Sequence, residues 1–499
     1  MGFKFVVLWT DVALWALMAV LLAYVLRLVR RPHLRANWQR VLRDPAALSA
    51  GVVLVLFIGV TALDSLHFRR ALPGSPSGEQ FYETRTNSLL DVLLARQLEM
   101  RETSYSAPLA YQGFNKDSVV HGNEVVRELP RLTYGGAHLK DPASEWVGDV
   151  TGRALTGLVA ALAVCALMAA GMAALLARGH GGWRHGLVDL LADRTHYPWR
   201  AALATLGVVV VLGGPVVALM GHYHVFGTDQ TGNDVLYQAL KSVRTAFVIG
   251  ALSTLATLPF ALVLGILAGY FKGWVDEVIQ YFYTVLTSVP NVLLIAACVL
   301  MVQVFLDKHP EAFETGAERS DLKIFLLCVI LGVTGWATLC RLVRGETLKL
   351  RESDFVQAAT AFGVSDTTIM ARHIVPNVMH LVLISLVLNF SDLILYEAVL
   401  TYVGVGVDPT MNSFGGMINL ARSEMSRDPV VWWSFAAAFG FMVSLVLAAN
   451  LFADGVRDAF DPRSRKLRPQ VLALKARRAL AQKAAEEAQR AAVTPKQEA

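Results

Sequence analysis

The chain has 499 residues, of which 55% are hydrophobic and 17% charged, and its mean hydropathy is +0.47. A soluble protein of this size needs more charge to cover its surface, so a soluble globular class is excluded. The formal net charge of +5 is modest and is spread over loops and the C-terminal tail rather than gathered on a soluble face, which argues against nucleic-acid binding.

Apolar runs of about 20 residues predict membrane-spanning helices, because only a helix satisfies its own backbone inside lipid. Nine are expected, near 5–26, 46–66, 154–177, 201–220, 245–270, 278–305, 322–340, 380–404 and 432–453. The first is too long for the apolar region of a cleavable signal peptide and lacks a clear small-residue cleavage site. Between the first two spans lie Arg27, Arg30, Arg31, Arg35, Arg40 and Arg43, which predicts a cytoplasmic loop. Arg178, Arg184, Arg194 and Arg200 place the loop after the third span on the same side, and Arg341, Arg344, Lys349, Arg351 and Arg372 do so for the loop 342–379. Alternation then puts the N-terminus, segment 67–153 and the loops near 222–240, 306–320 and 406–430 outside.

Segment 67–153 opens on a linker-like run, Pro73 to Gly78. Leu89, Leu90, Val92, Leu93, Leu94 and Leu98 then predict an amphipathic helix, and a small extracytoplasmic domain is expected. At its far border His222 and His224 stand two apart, a spacing open to metal binding or to a structural role; no metal site is assigned. The four cysteines, Cys165, Cys298, Cys328 and Cys340, all lie in apolar runs and read as small hydrophobes. Gly265, Gly269 and Gly273 have the spacing of close helix packing, and Pro290 predicts a kink or a re-entrant bend. In the loop 342–379, the stretch from Asp354 to Phe362 contains Ala358 and Ala359 and lacks Gly and Pro, which predicts a short helix. Gly363 is placed to end it with a positive φ, and Ser365 to cap a second helix that stops before Pro376. Asp392 and Glu397 fall inside the eighth span, where a carboxylate faces protein or a water-filled cavity; pathway lining and structural hydrogen bonding both stay open. The tail after Pro462 reads as an exposed helix.

Several stretches carry a family resemblance. Phe355-Val-Gln-Ala-Ala-Thr-Ala-Phe-Gly363, continuing to Ile374-Val-Pro-Asn377, resembles the Glu-Ala-Ala loop of ATP-binding-cassette importer permeases. Ala358, Ala359, Gly363, Ile374 and Pro376 match its pattern, and Gln357 stands at its Glu. Trp38 to Leu48 is similar to the basic, proline-containing entry to the first span in the oligopeptide/dipeptide (peptide/nickel) branch of that family. Gly227, Thr228, Asp229, Gly232 and Asp234 match the branch's extracytoplasmic motif, with Asn233 in place of Arg. Glu397 to Gly406 and Asp458 to Arg463 resemble two further elements, in the family's order. The resemblance covers about 37–66 and 221–465 and points to the C-type subunit.

The resemblance implies an all-α polytopic membrane protein with a type I importer permease core. The expected organisation is an extra span and the start of a basic loop (1–36), the first family-like span (37–66), the extracytoplasmic domain (67–153), two inserted spans (154–220), the core (221–462) and a basic cytoplasmic tail (463–499). It further implies a permease subunit in the bacterial inner membrane, for peptides, that forms the translocation pathway. The implied partners are a second permease, two cytoplasmic ATPases docked on the loop 342–379, and an extracytoplasmic substrate-binding protein. No cofactor is expected in this chain, with ATP bound by the partner. In agreement, no Lys follows a Gly anywhere, so no phosphate-binding loop is present, and the sequence patterns of metalloproteases and serine hydrolases are missing. The alternative is a membrane sensor or scaffold that uses segment 67–153 to detect a ligand.

Overall fold

The computed structural model describes residues 3–30, 32–72, 81–121, 124–180, 188, 190–191, 195, 197–313 and 315–460. The run Pro73 to Gly78, Arg184, Arg194 and the tail 463–499 lie outside the described residues. Among those residues, nine helices are long and apolar enough to cross a membrane. They are α1 (Trp9–Arg30), α3 (Pro45–Asp64), α6 (Pro142–His180), α7 (Trp199–Leu219), α8 (Val235–Phe271), α10 (Asn291–Lys308), α11 (Gly316–Arg351), α14 (Val375–Tyr402) and α16 (Trp433–Phe460).

Shorter helices join them: α2 (Pro32–Val41), α4 (Leu89–Leu93), α5 (Ala95–Glu99), α9 (Gly273–Ser288), α12 (Asp354–Ala361), α13 (Asp366–Ile369) and α15 (Phe414–Glu424). Starts are set by side-chain caps. Asp44 accepts from the Ala47 amide and is followed by Pro45, Asp234 accepts from the Tyr237 amide, and Ser413 accepts from the Gly416 amide. Each satisfies an amide that a helix start otherwise leaves unpaired.

The predicted span 278–305 is corrected. Its first part belongs to the separate helix α9, and α10 begins only at Asn291, after a break at Val289 and Pro290. Proline lacks the amide needed to continue the helix and starts the new one instead. The amphipathic helix read through Leu89 and Leu98 is likewise two short helices, because a capping box between Ser88 and Asp91 starts the first and the turn at Leu94 ends it.

The N-terminal β1 (Phe3–Phe5) joins β2 (His67–Arg70) and β3 (Asn87–Ser88) of the insert between α3 and α6 in a three-stranded antiparallel sheet, and the insert also carries a hairpin of β4 (Asp117–His121) and β5 (Glu124–Glu128). Since β1 pairs with β2, the N-terminus lies at the same end of the bundle as the insert. α6 and α7 form a peripheral pair packed on α3, and Gly157 and Gly214 let their backbones touch: a Cβ on Gly157 would stand 2.5 Å from the Gly214 carbonyl oxygen.

The most extensive helix contact is α8 with α11. Gly265 faces Val343 and the Cys340 carbonyl, and Gly269 faces Thr347 and the Arg344 carbonyl, each closer than a Cβ permits. This is the close packing that small residues allow between spans. Gly273 is not part of it: its φ is +57° with nothing near, and it turns the chain from α8 into α9. All four cysteines are free.

Candidate coupling and pathway sites

At the end of the bundle opposite the insert, α12 is closed by a Schellman motif. The Val364 amide donates to the Ala359 carbonyl at 3.1 Å and the Gly363 amide to the Thr360 carbonyl at 3.0 Å, with Gly363 at φ +74°. These bonds satisfy carbonyls the helix would leave unpaired, and they need a residue that adopts positive φ without strain. The second predicted helix differs. Ser365 sits at its start, but its hydroxyl meets Thr368 Oγ1 at 2.8 Å instead of capping an amide. α13 then runs through a π-turn, Met370–Ile374, straight into α14. Pro376 follows directly on the π-turn, and the chain is helical across it rather than stopping before it.

Val356, Ile369 and Ile374 are buried in a core shared with Tyr270 of α8, Ile279 and Tyr283 of α9 and Val343 of α11. The Tyr270 hydroxyl donates to Asp366 at 2.6 Å. α9 is tied to α11 by Arg344, which donates to both Asp276 oxygens at 2.6 and 2.7 Å; the Arg344 hydrogen bond holds the Asp276 carboxyl below its usual range. On this base the opposite face of the turn is open. Gln357, Ala358, Gly363 and Pro376 are exposed, Ala359 is half-buried, and Phe362 is 87% exposed. Among the described residues Gln357 Nε2 reaches only the Glu352 carbonyl, at 3.3 Å. Beside it lies a cavity of about 570 Å³ lined by Tyr270, Arg351, Gln357 and Thr360 among others.

At the insert end, the segment around Gly227 is a structural joint. Thr228 Oγ1 accepts from the Ser106 amide at 2.7 Å and donates to the Ser104 carbonyl at 2.9 Å. Asp229 Oδ1 accepts from the amides of Thr231 and Asn233, folding the segment on itself. Gly232, at φ +77°, lies so close to the Glu102 carbonyl that a Cβ would be 1.8 Å away. Asp234 starts α8 and accepts from His224 Nδ1 at 2.9 Å.

Glu102 stands on the other side of His224, 3.6 Å from Nε2, and accepts from the amides of Thr133, Tyr134 and Gly135. Burial disfavours charge on both groups, but the paired charges and hydrogen bonds win. His224 is raised to about 9 and Glu102 is lowered to about 2. His224 is therefore the cation of a buried ion triad, while His222 packs beside His138 with ring centroids 4.9 Å apart. The two histidines turn to different surroundings.

A second cluster joins the N-terminal span to the core. Arg244, 4% exposed, donates through Nη2 to Asp11 at 2.6 Å and Thr10 at 2.9 Å and lies 3.8 Å from Asp321. The Thr10 amide also donates to Asp321, and His67 meets Asp11 at 2.7 Å. One turn earlier on α8, Lys241 bridges Asp64 of α3 and Asp91 of the insert at 2.7 and 3.0 Å. Sequence reading passed over Arg244, Lys241 and Glu102; the available signal was a pair of cations where the fifth apolar run begins.

On α14 the two carboxylates have opposite surroundings. Glu397 is fully buried, its Oε1 accepting from Thr401 at 2.9 Å, and a Cβ on Gly415 of α15 would meet that oxygen at 2.9 Å. Asp392 is exposed, with no hydrogen bond or ion pair among the described residues.

Residues 261–466 match the family described as binding-protein-dependent transport system inner membrane component; the insert and the N-terminal span lie outside that match. The chain is similar to the oligopeptide transport system permease protein OppC of Mycobacterium tuberculosis, 33% identical over 248 residues, 50% of this chain and 79% of that one. It is 31% identical to the protein of the same name from Haemophilus influenzae over 246 residues, 49% and 72% of the two chains. Against the glutathione transport system permease protein GsiD of Pectobacterium atrosepticum it is 32% identical over 240 residues, 48% and 73%. Among solved structures, the MetNI methionine ABC transporter in inward-facing conformations aligns over 45% of this chain and 94% of that one, at 15% identity and a TM-score of 0.33.

Proposed function

The chain belongs to the binding-protein-dependent transport system inner membrane components, in their oligopeptide-permease branch, and from that premise we propose how it works as the peptide-importing permease subunit of an ATP-binding-cassette system. It forms part of the translocation pathway and carries out no covalent chemistry. ATP is bound and hydrolysed by two separate cytoplasmic subunits, a second permease completes the pathway, and a binding protein delivers cargo from outside. The arginine-rich loops support a cytoplasmic position for α12 and α13 and an outer position for the insert.

The observation that supports this reading most is the turn 354–376. Its buried side fuses it to α8, α9 and α11, and its exposed side offers Gln357, Ala358, Phe362 and Gly363 to a partner. An ATPase that closes on this turn would move these helices as a body, which is how rigid-body switching operates. The segment at Gly227 to Asp234 has a different role, as the hinge plate between the insert and α8. No observation favours the sensor or scaffold alternative. The test is affinity purification of the full chain from its native membrane: an ATPase should co-purify, and ATP hydrolysis should rise when a peptide-loaded binding protein is added. Purification without any ATPase would overturn the proposal.

A further inference from the structure

The span α14 carries two acidic residues, Asp392 and Glu397. Five helical residues rotate a side chain by about 140° net at 3.6 residues per turn, so the two lie on different faces. Glu397 points into the chain's own bundle and is held by Thr401. Asp392 points away from it, and this chain supplies no cation, hydroxyl or amide to it among the described residues. A lone carboxylate cannot face lipid without large cost, so it faces water or another molecule. Around it the same face of α14 exposes Leu388, Leu395, Tyr396 and Val399. An apolar and aromatic surface with one fixed charge is the make-up of a ligand site that orients its occupant by a single polar contact.

We propose that Asp392 is a cargo-recognition residue that pairs with a protonated amine on the transported molecule. This rests on the permease reading above. The placement favours cargo over a fixed partner cation: α14 is continuous with the turn that would meet the ATPase, so Asp392 rides on an element that turns during the cycle. A charge on a moving helix can take up a cation in one state and release it in the other. The amine is either a peptide's N-terminal ammonium or a basic side chain, and both present the same chemistry to the carboxylate.

The experiment uses the complete transporter in proteoliposomes and compares wild type with Asp392→Asn and Asp392→Glu. Uptake is measured for trialanine, N-acetyl-trialanine and N-acetyl-Ala-Lys-Ala. The variant-to-wild-type ratio is taken for each peptide, so that selection by the binding protein cancels. Asp392→Asn should raise KM for trialanine roughly tenfold, the usual scale of a charge-assisted hydrogen bond, and leave the ratio for N-acetyl-trialanine near one; Asp392→Glu should restore uptake. A defect on N-acetyl-Ala-Lys-Ala as large as on trialanine assigns the site to any amine, and a defect on trialanine alone to the N-terminus. Equal effects on all three peptides would overturn the proposal, as would loss of the second permease on purification of Asp392→Asn, which would make the residue's partner a subunit. If wild type imports none of the peptides, the peptide reading itself fails; if wild type imports them and the ratios do not separate, only the role of Asp392 fails.

Discussion

Arg244 Nη2 lies 2.6 Å from Asp11 Oδ1, a bond between residues 233 positions apart. It ties a span outside the family match to the span on which the core is built. Removing one partner of a buried pair leaves the other charge uncompensated. Asp11→Ala should therefore lower stability by about 3–5 kcal/mol, read as a fall in the thermal midpoint of the purified chain in detergent. Asp11→Asn should cost less, since it keeps an acceptor for Arg244. An unchanged midpoint in Asp11→Ala would show that Asp321 alone balances the arginine.

Gly363 has open space where a Cβ would go, so substitution there acts through the backbone. A β-branched residue at φ +74° is strained by about 1–2 kcal/mol, whereas Asn tolerates this region. Gly363→Val should lose cargo-stimulated ATP hydrolysis while inserting normally in the membrane, and Gly363→Asn should keep most of it. Equal activity of the two variants would mean that the turn's conformation does not matter for coupling.

Gln357 is exposed, and among the described residues its side chain bonds only the Glu352 carbonyl. An added charge on an exposed turn costs little, so Gln357→Glu should leave transport within about twofold of wild type. Gln357→Arg adds bulk and the opposite charge on the face proposed for the ATPase, and should reduce coupled hydrolysis severalfold. Wild-type hydrolysis in the Arg variant would place Gln357 outside that interface.

The triad of Glu102, His224 and Asp234 sets a pH window. His224 is raised from 6.5 to about 9, so its contribution to stability is complete below pH 6.5 and fades as pH rises through 9. Glu102 is lowered from 4.5 to about 2, so its contribution is complete above pH 4.5 and fades as pH falls toward 2. The thermal midpoint should be flat between these limits and decline on both sides. In His224→Gln the alkaline decline should shrink, and the midpoint at pH 6 should drop because two carboxylates lose their cation. A wild-type alkaline limb in that variant would mean that another group titrates there.

Sidedness has a direct check. Lys116 is exposed in the insert and Ser353 stands at the start of α12. In intact cells a membrane-impermeant maleimide should label Lys116→Cys and not Ser353→Cys. The reverse pattern would invert the orientation.

The spans were legible because an apolar run of bilayer length has few other uses, and nine such helices are present among the described residues. Gly363 was legible because positive φ after an alanine-containing stretch is a local property. The break before Asn291 was only half legible: Pro290 marked a bend, but the amphipathic stripe of α9, with Asp276 turned to Arg344, merged with the apolar run that follows. The ion clusters were not legible. Glu102 meets His224 only after the insert has folded back on the core, and Asp11 meets Arg244 only after the first span has docked on α8; no periodicity connects residues more than a hundred positions apart. Glu397 opens a family-like element and Asp392 lies in none, but that left both roles open; their helical phase against the neighbouring spans separates their surroundings.

From Asp366 to Tyr402 the chain is one helical rod of 37 residues, which at about 1.5 Å per residue is roughly 55 Å long. Its base is anchored by Ile369 and Ile374, and its far end is clasped to α15 through Glu397, Thr401 and Gly415. Such a rod is a lever: pivoting by about 10° near its middle would carry each tip by roughly 5 Å. A displacement of the rod at the turn 354–376 would thus be matched at the opposite face by a stroke about as wide as a peptide backbone.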